Sequence, residues 1–181
     1  MKRVLLVFFG LAWFTISAIA GQDVPGKVLA SFPLALKTPT GLAWDGSHLW
    51  LADFDTATLN ELDPDTGKLL RSIEAPGYAP MGLAWDGTKL WVVDTADKTV
   101  YAVDPKNGVT LRALPLDTDT PEGLAWDGKD LWVADAKEGV IARLDAQDGT
   151  TFLSVPCLSR SSSKTVSMPA ATCRSKSTCV R

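Results

Sequence analysis

One histidine, two tyrosines and no cysteine before residue 157 leave this 181-residue chain short of the side chains on which many hydrolytic and metal sites are built. The single histidine, His48, stands at a polar position that holds Lys89 and Asp130 in equivalent stretches. It is therefore expected to be exposed and without a role, and a Ser/His/Asp set would need another histidine. No glycine-rich loop of the phosphate-cradling kind is present. Basic charge is also scarce: residues 21–156 carry all 21 acidic residues against 11 Lys and Arg, a net charge of −10. That excess repels phosphate and argues against nucleic acid as a partner. Long apolar runs are missing too. The longest, Val4 to Ile19, falls short of the roughly 20 residues needed to cross a bilayer.

What the chain does have is repetition. Gly41 to Asp53 reads Gly-Leu-Ala-Trp-Asp-Gly-Ser-His-Leu-Trp-Leu-Ala-Asp, and it returns nearly unchanged at Gly82 to Asp94 and Gly123 to Asp135. The period is 41 residues, with no insertion between copies. In each copy an apolar run leads into Asp-Gly, a strong hairpin signal, and a second apolar run follows. Downstream, residues 58–63, 99–104 and 139–145 alternate polar and apolar, the period of a half-buried strand. A turn closed by Gly67, Gly108 or Gly149 then leads to a fourth strand. Four strands in about 41 residues match one blade of a propeller. The spacing therefore predicts an all-β fold with four-stranded antiparallel blades at residues 41–75, 82–116 and 123–156.

The two ends depart from the period. Residues 1–20 begin with Lys2 and Arg3, continue with the apolar run and finish Ala18-Ile19-Ala20, the layout of a secretory signal peptide. A secreted or periplasmic protein with no membrane segment after cleavage is the expectation. Residues 26–34 repeat residues 67–75 one period early, so they are expected to form an orphan fourth strand. Residues 157–181 hold all three cysteines, five Lys and Arg and no acid, a basic, Ser-rich composition expected to be disordered. Such a tail is either an aberrant end, as from a frameshifted or truncated reading, or a basic segment that binds an acidic surface.

The pattern Gly-Leu-Ala-Trp-Asp-Gly-x-x-Leu-Trp-Val-Ala-Asp, with its later Asp-Pro-x-x-Gly, resembles secreted bacterial propellers with NHL-type and YVTN-type repeats. Virginiamycin B lyase, gluconolactonase-like proteins and plant-type glutaminyl cyclases belong to the same broad group. The resemblance covers residues 26 to about 156 and implies the fold more than the activity, since propellers host many unrelated functions. Its lyases are expected to use a histidine base, which His48 does not suit. In gluconolactonase-like members a glutamate at the start of a strand binds a divalent cation, and Glu122 matches that place alone.

Constant residues read as structural. Trp44, Trp50, Trp85, Trp91, Trp126 and Trp132 are expected to pack between blades. Asp45, Asp86 and Asp127 belong to the hairpin turn, Asp53, Asp94 and Asp135 tie down the loop that follows, and Asp63, Asp104 and Asp145 start the later turn. Function is expected where copies differ. Thr40, Met81 and Glu122 share one slot beside the axis, and Asp55, Asp97, Asp117 and Asp119 make the same loop face acidic. Binding of a protein, a small molecule or a carbohydrate, or scaffolding, is the leading reading. The alternatives are a fragment of a lactonase, lyase or cyclase using a divalent cation, and a non-functional truncated product. Three blades and one strand make an incomplete ring, so self-association is expected as well.

Overall fold

The computed structural model describes residues 26–156. The proposed signal peptide and basic tail lie outside these residues. Residues 26–32 fall in a separate unit, with a turn at Gly26 and otherwise no regular structure. The remainder, from Pro33, carries every strand.

Twelve strands form three antiparallel sheets, and no helix occurs among the described residues. Blade 1 comprises β1 (Pro39–Trp44), β2 (Leu49–Asp53), β3 (Thr58–Leu62) and β4 (Leu69–Glu74). Blade 2 holds β5 (Pro80–Trp85), β6 (Leu90–Asp94), β7 (Thr99–Val103) and β8 (Thr110–Pro115). Blade 3 holds β9 (Pro121–Trp126), β10 (Leu131–Asp135), β11 (Val140–Leu144) and β12 (Thr151–Pro156). Strands pair strictly in chain order within each sheet. Each blade opens on a proline two residues before the repeat glycine, a strand-start position that needs no ladder N–H.

The Asp-Gly signal explains the first hairpin. Gly46, Gly87 and Gly128 take φ of 102°, 97° and 98°, values that a side chain resists. Asp45 Oδ1 accepts from the N–H groups of Ser47 (2.8 Å) and His48 (2.7 Å), while Trp50 Nε1 donates to Oδ2 at 3.0 Å. Asp86 with Trp91 and Asp127 with Trp132 repeat that last bond at 2.8 Å each. A cation covers each of these rings: Arg71 at 5.4 Å from Trp50, Lys89 at 5.7 Å from Trp91 and Arg143 at 5.8 Å from Trp132.

The core lies between sheets. Ala43, Trp50, Ala52 and Leu59 of blade 1 pack on Leu83, Leu90, Val92 and Val103 of blade 2, and a second cluster joins Trp91, Val93, Val100 and Leu114 of blade 2 to Leu131, Val133 and Leu144 of blade 3. Trp85 and Trp126 pack against these clusters from the following blade. Trp44 does not share their place. It is 50% exposed, because no described blade precedes it, and Trp132 is partly exposed at the other end.

The orphan strand expected at residues 26–34 is absent. Those residues show no strand and are exposed. A segment gains ladder hydrogen bonds only from a partner strand, and none of the described sheets includes it.

Candidate functional site

The first strands β1, β5 and β9 approach one another closely, and glycine makes this approach possible. A Cβ on Gly41 would lie 2.1 Å from the Met81 carbonyl oxygen, and one on Gly82 would lie 2.6 Å from that of Glu122. The residue before each glycine is thereby placed on a shared groove of about 450 Å³, lined by Thr40, Met81 and Glu122 together with Leu42, Leu83 and Leu124. Thr40 Oγ1 is turned to the blade junction, where it donates to the Pro80 carbonyl at 2.9 Å. Met81 is half-buried and Glu122 is exposed.

Buried aspartates fix the loops around this groove. Asp53, Asp94 and Asp135 are 0–3% exposed, and each carboxylate reaches both backward and forward along the chain. Asp53 Oδ2 accepts from Lys37 N–H (2.7 Å) and its Oδ1 from Thr56 N–H (3.2 Å). Asp94 accepts from Ala79 (2.6 Å) and Asp97 (2.9 Å), and Asp135 from Thr120 (2.9 Å) and Glu138 (2.6 Å). Sequence reasoning anticipated the forward bonds. The backward bonds were not legible, because they join residues about 15 apart through a loop of irregular sequence.

The acidic candidates are dispersed. Asp55 is exposed on its loop, and Asp97 accepts from the Tyr101 hydroxyl at 3.0 Å. Asp117 and Asp119 line a separate cleft of about 370 Å³ with Lys98, Leu116, Thr118 and Glu138. Asp119 is not a free charge: Lys137 Nζ lies 2.7 Å from one oxygen and Lys98 Nζ 3.1 Å from the other. Those two ammonium groups, Lys137 first, hold its carboxyl below the usual range. Their surface location limits the stabilisation.

Glu122 belongs to no cluster of metal-ligating side chains among the described residues. The one such cluster there is Asp45, His48 and Glu61, on blade 1. His48 is consequently not idle, as its tip position had suggested: its Nδ1 lies 3.1 Å from Glu61 Oε1 and 3.8 Å from Asp45 Oδ2. This group is already spoken for. Arg71 donates to Glu61 Oε2 through Nε (2.9 Å) and Nη2 (2.6 Å), and Asp45 holds the turn and the Trp50 indole. A cation would have to displace the Arg71 charge.

Acid stability follows from the repeated aspartates. At Asp127 the Asp130 N–H, and after it the Trp132 indole, lower the carboxyl from 3.8 to about 2. At Asp86 burial raises the value, but the Lys89 side chain and N–H and the Trp91 indole outweigh it, and the carboxyl lies well below the ordinary range. Asp45, Asp53 and Asp135 are lowered too, since several N–H donors outweigh the effect of burial. A depressed folded value contributes stability that is present above the unfolded value and is lost as pH falls through the folded one. Thermal melting followed by circular dichroism should be nearly constant above about pH 5 and fall steeply between about pH 4 and 2. A melting temperature unchanged down to about pH 2 would contradict this assignment.

No protein-family model and no curated protein matches the chain. Solved structures do. A glutaminyl cyclase of Myxococcus xanthus superposes with a TM-score of 0.58 at 16% identity, over 66% of this chain and 53% of that one. Virginiamycin B lyase from Staphylococcus aureus gives 0.56 at 18%, over 71% and 45%. A chain from a nidogen/laminin complex gives 0.58 at 20%, over 69% and 49%. The chain thus spans about half the length of these proteins. At such identities the likeness speaks for the fold alone: the described residues are three consecutive blades of a β-propeller.

Proposed function

We propose that the protein is an extracytoplasmic binding module whose ligand lies in the groove across β1, β5 and β9. The observation that carries this reading is the contrast between a fixed frame and a changing slot. Buried Asp53, Asp94 and Asp135 hold equivalent loops in place, while the groove position they frame carries Thr40, Met81 and Glu122 in turn. A rigid scaffold presenting unlike side chains at equivalent points is suited to recognition. The apolar thioether at the centre and the carboxylate at one side fit a small neutral or cationic ligand, such as a sugar or a short peptide. Catalysis is less well supported, because acid–base chemistry needs positioned proton donors and acceptors, and Glu122 is the one titratable side chain lining the groove.

The chain has three methionines, Met1, Met81 and Met168, so methyl-labelled methionine gives a sparse spectrum with one probe in the groove. A panel of neutral and cationic sugars and peptides should contain members that shift the Met81 methyl signal, and Glu122→Ala should weaken their binding about tenfold, the loss of one charge-assisted hydrogen bond. Ligands that bind without moving the Met81 signal would place recognition elsewhere.

A further inference from the structure

The packing between blades repeats every 41 residues, and among the described residues the equivalent positions at the two ends of the array are exposed. Ile73 of blade 1 touches the point where a Cβ on Gly108 would sit, at 3.3 Å, and Leu114 of blade 2 does the same at Gly149, at 3.4 Å. The next member on the side of the large residues is Val155, 44% exposed on blade 3. Gly41 and Gly82 are each pressed against the first strand of the following blade, whereas at Gly123 a Cβ would meet Ala134 of its own blade and nothing of another. Burial tells the same story from both sides. Leu83 is 4% exposed where blade 1 covers it, and its equivalent Leu42 is 58% exposed; Val100 is fully buried under blade 3, and its equivalent Ile141 is 38% exposed.

We propose that the open face of blade 3 docks on the open face of blade 1 of a second copy, repeating the internal blade-to-blade contact at both junctions. The occupant is defined by the chain's own packing. The face that buries Trp91, Val93 and Leu114 accepts Leu124 and Trp126, and blade 1 presents Leu42 and Trp44 at those same repeat positions. Two chains of three blades then close a ring within the roughly four to eight blades of known propellers. A two-fold axis along the ring relates the copies, and both junctions are equivalent. Residues 26–34 repeat the positions of β4, β8 and β12, so the partner's β12 takes the place they would fill, and they remain unpaired. This docking goes beyond the ligand groove and does not depend on it.

Light scattering coupled to size exclusion at low micromolar concentration should give about twice the mass of one chain, which is 19.4 kDa before removal of residues 1–20. Leu42→Lys on blade 1 and Ala134→Lys on blade 3 place charges at exposed positions, and each variant alone should run as a monomer with an unchanged circular dichroism spectrum. An equimolar mixture restores one unaltered junction per pair and should recover the dimer. A cooperatively unfolding monomer of the unaltered chain overturns the proposal whether or not either variant folds. So does a dimer that survives Ala134→Lys while Leu42→Lys abolishes it, since blade 1 would then meet blade 1. Masses that climb steadily with concentration would replace the closed ring with an open filament and likewise overturn it.

Discussion

Trp91→Ala should lower the unfolding free energy by about 3–5 kcal/mol, the range for emptying a fully buried aromatic site. Its ring is 1% exposed, packed between blades 2 and 3 under Lys89, and its Nε1 donates to Asp86 at 2.8 Å. Truncation removes the packing and also leaves Asp86 without one of its donors. In the monomeric Leu42→Lys background, where no second copy covers blade 3, the equivalent Trp132→Ala should cost less than half as much, because that ring then faces no further blade and is partly exposed. Urea unfolding followed by far-ultraviolet circular dichroism measures both, and equal losses would show that the junction between blades is not where Trp91 acts.

Gly82→Ala should be comparably severe, by a different route. The added methyl would sit 2.6 Å from both the Glu122 carbonyl oxygen and the Leu124 nitrogen, and backbone atoms cannot rotate away as a flexible side chain can. Blades 2 and 3 would have to separate, so a loss at or above the roughly 1–3 kcal/mol of ordinary overpacking is expected. Gly46→Ala is the control. That glycine has φ of 102° and open space around the point where Cβ would be built, so its cost is backbone strain alone, about 1–2 kcal/mol. If the two substitutions cost the same, close approach of the first strands is not what demands glycine at residue 82.

The blades were legible in the sequence because their signals are local. Asp-Gly between apolar runs, alternation at residues 58–63 and a fixed period act within a few residues of one another, and the observed strands follow them closely. Residues 26–34 carried the same local pattern and formed no strand, since pairing is decided by a neighbour and not by the segment itself. The site divides in the same way. Placing Thr40, Met81 and Glu122 on one groove needed only the repeat alignment. The His48–Glu61 contact crosses between strands at positions where blade 2 carries Lys89 and Ala102, and blade 3 repeats it only with the charges reversed, as the Asp130–Arg143 ion pair, so no one residue type marks it in the sequence. Asp119 looked like a bare charge for a similar reason: its two lysines come from positions 21 and 18 residues away.

Among the described residues, every hydrogen-bonded strand pair joins neighbours in chain order. A stretch of gene encoding 41 residues that starts at the first strand of a blade therefore specifies a whole sheet. Tandem duplication of that stretch can lengthen the array without breaking an existing strand pair, and the new sheet arrives already shaped to fit its parent. Divergence can then proceed copy by copy in the slots that packing leaves alone.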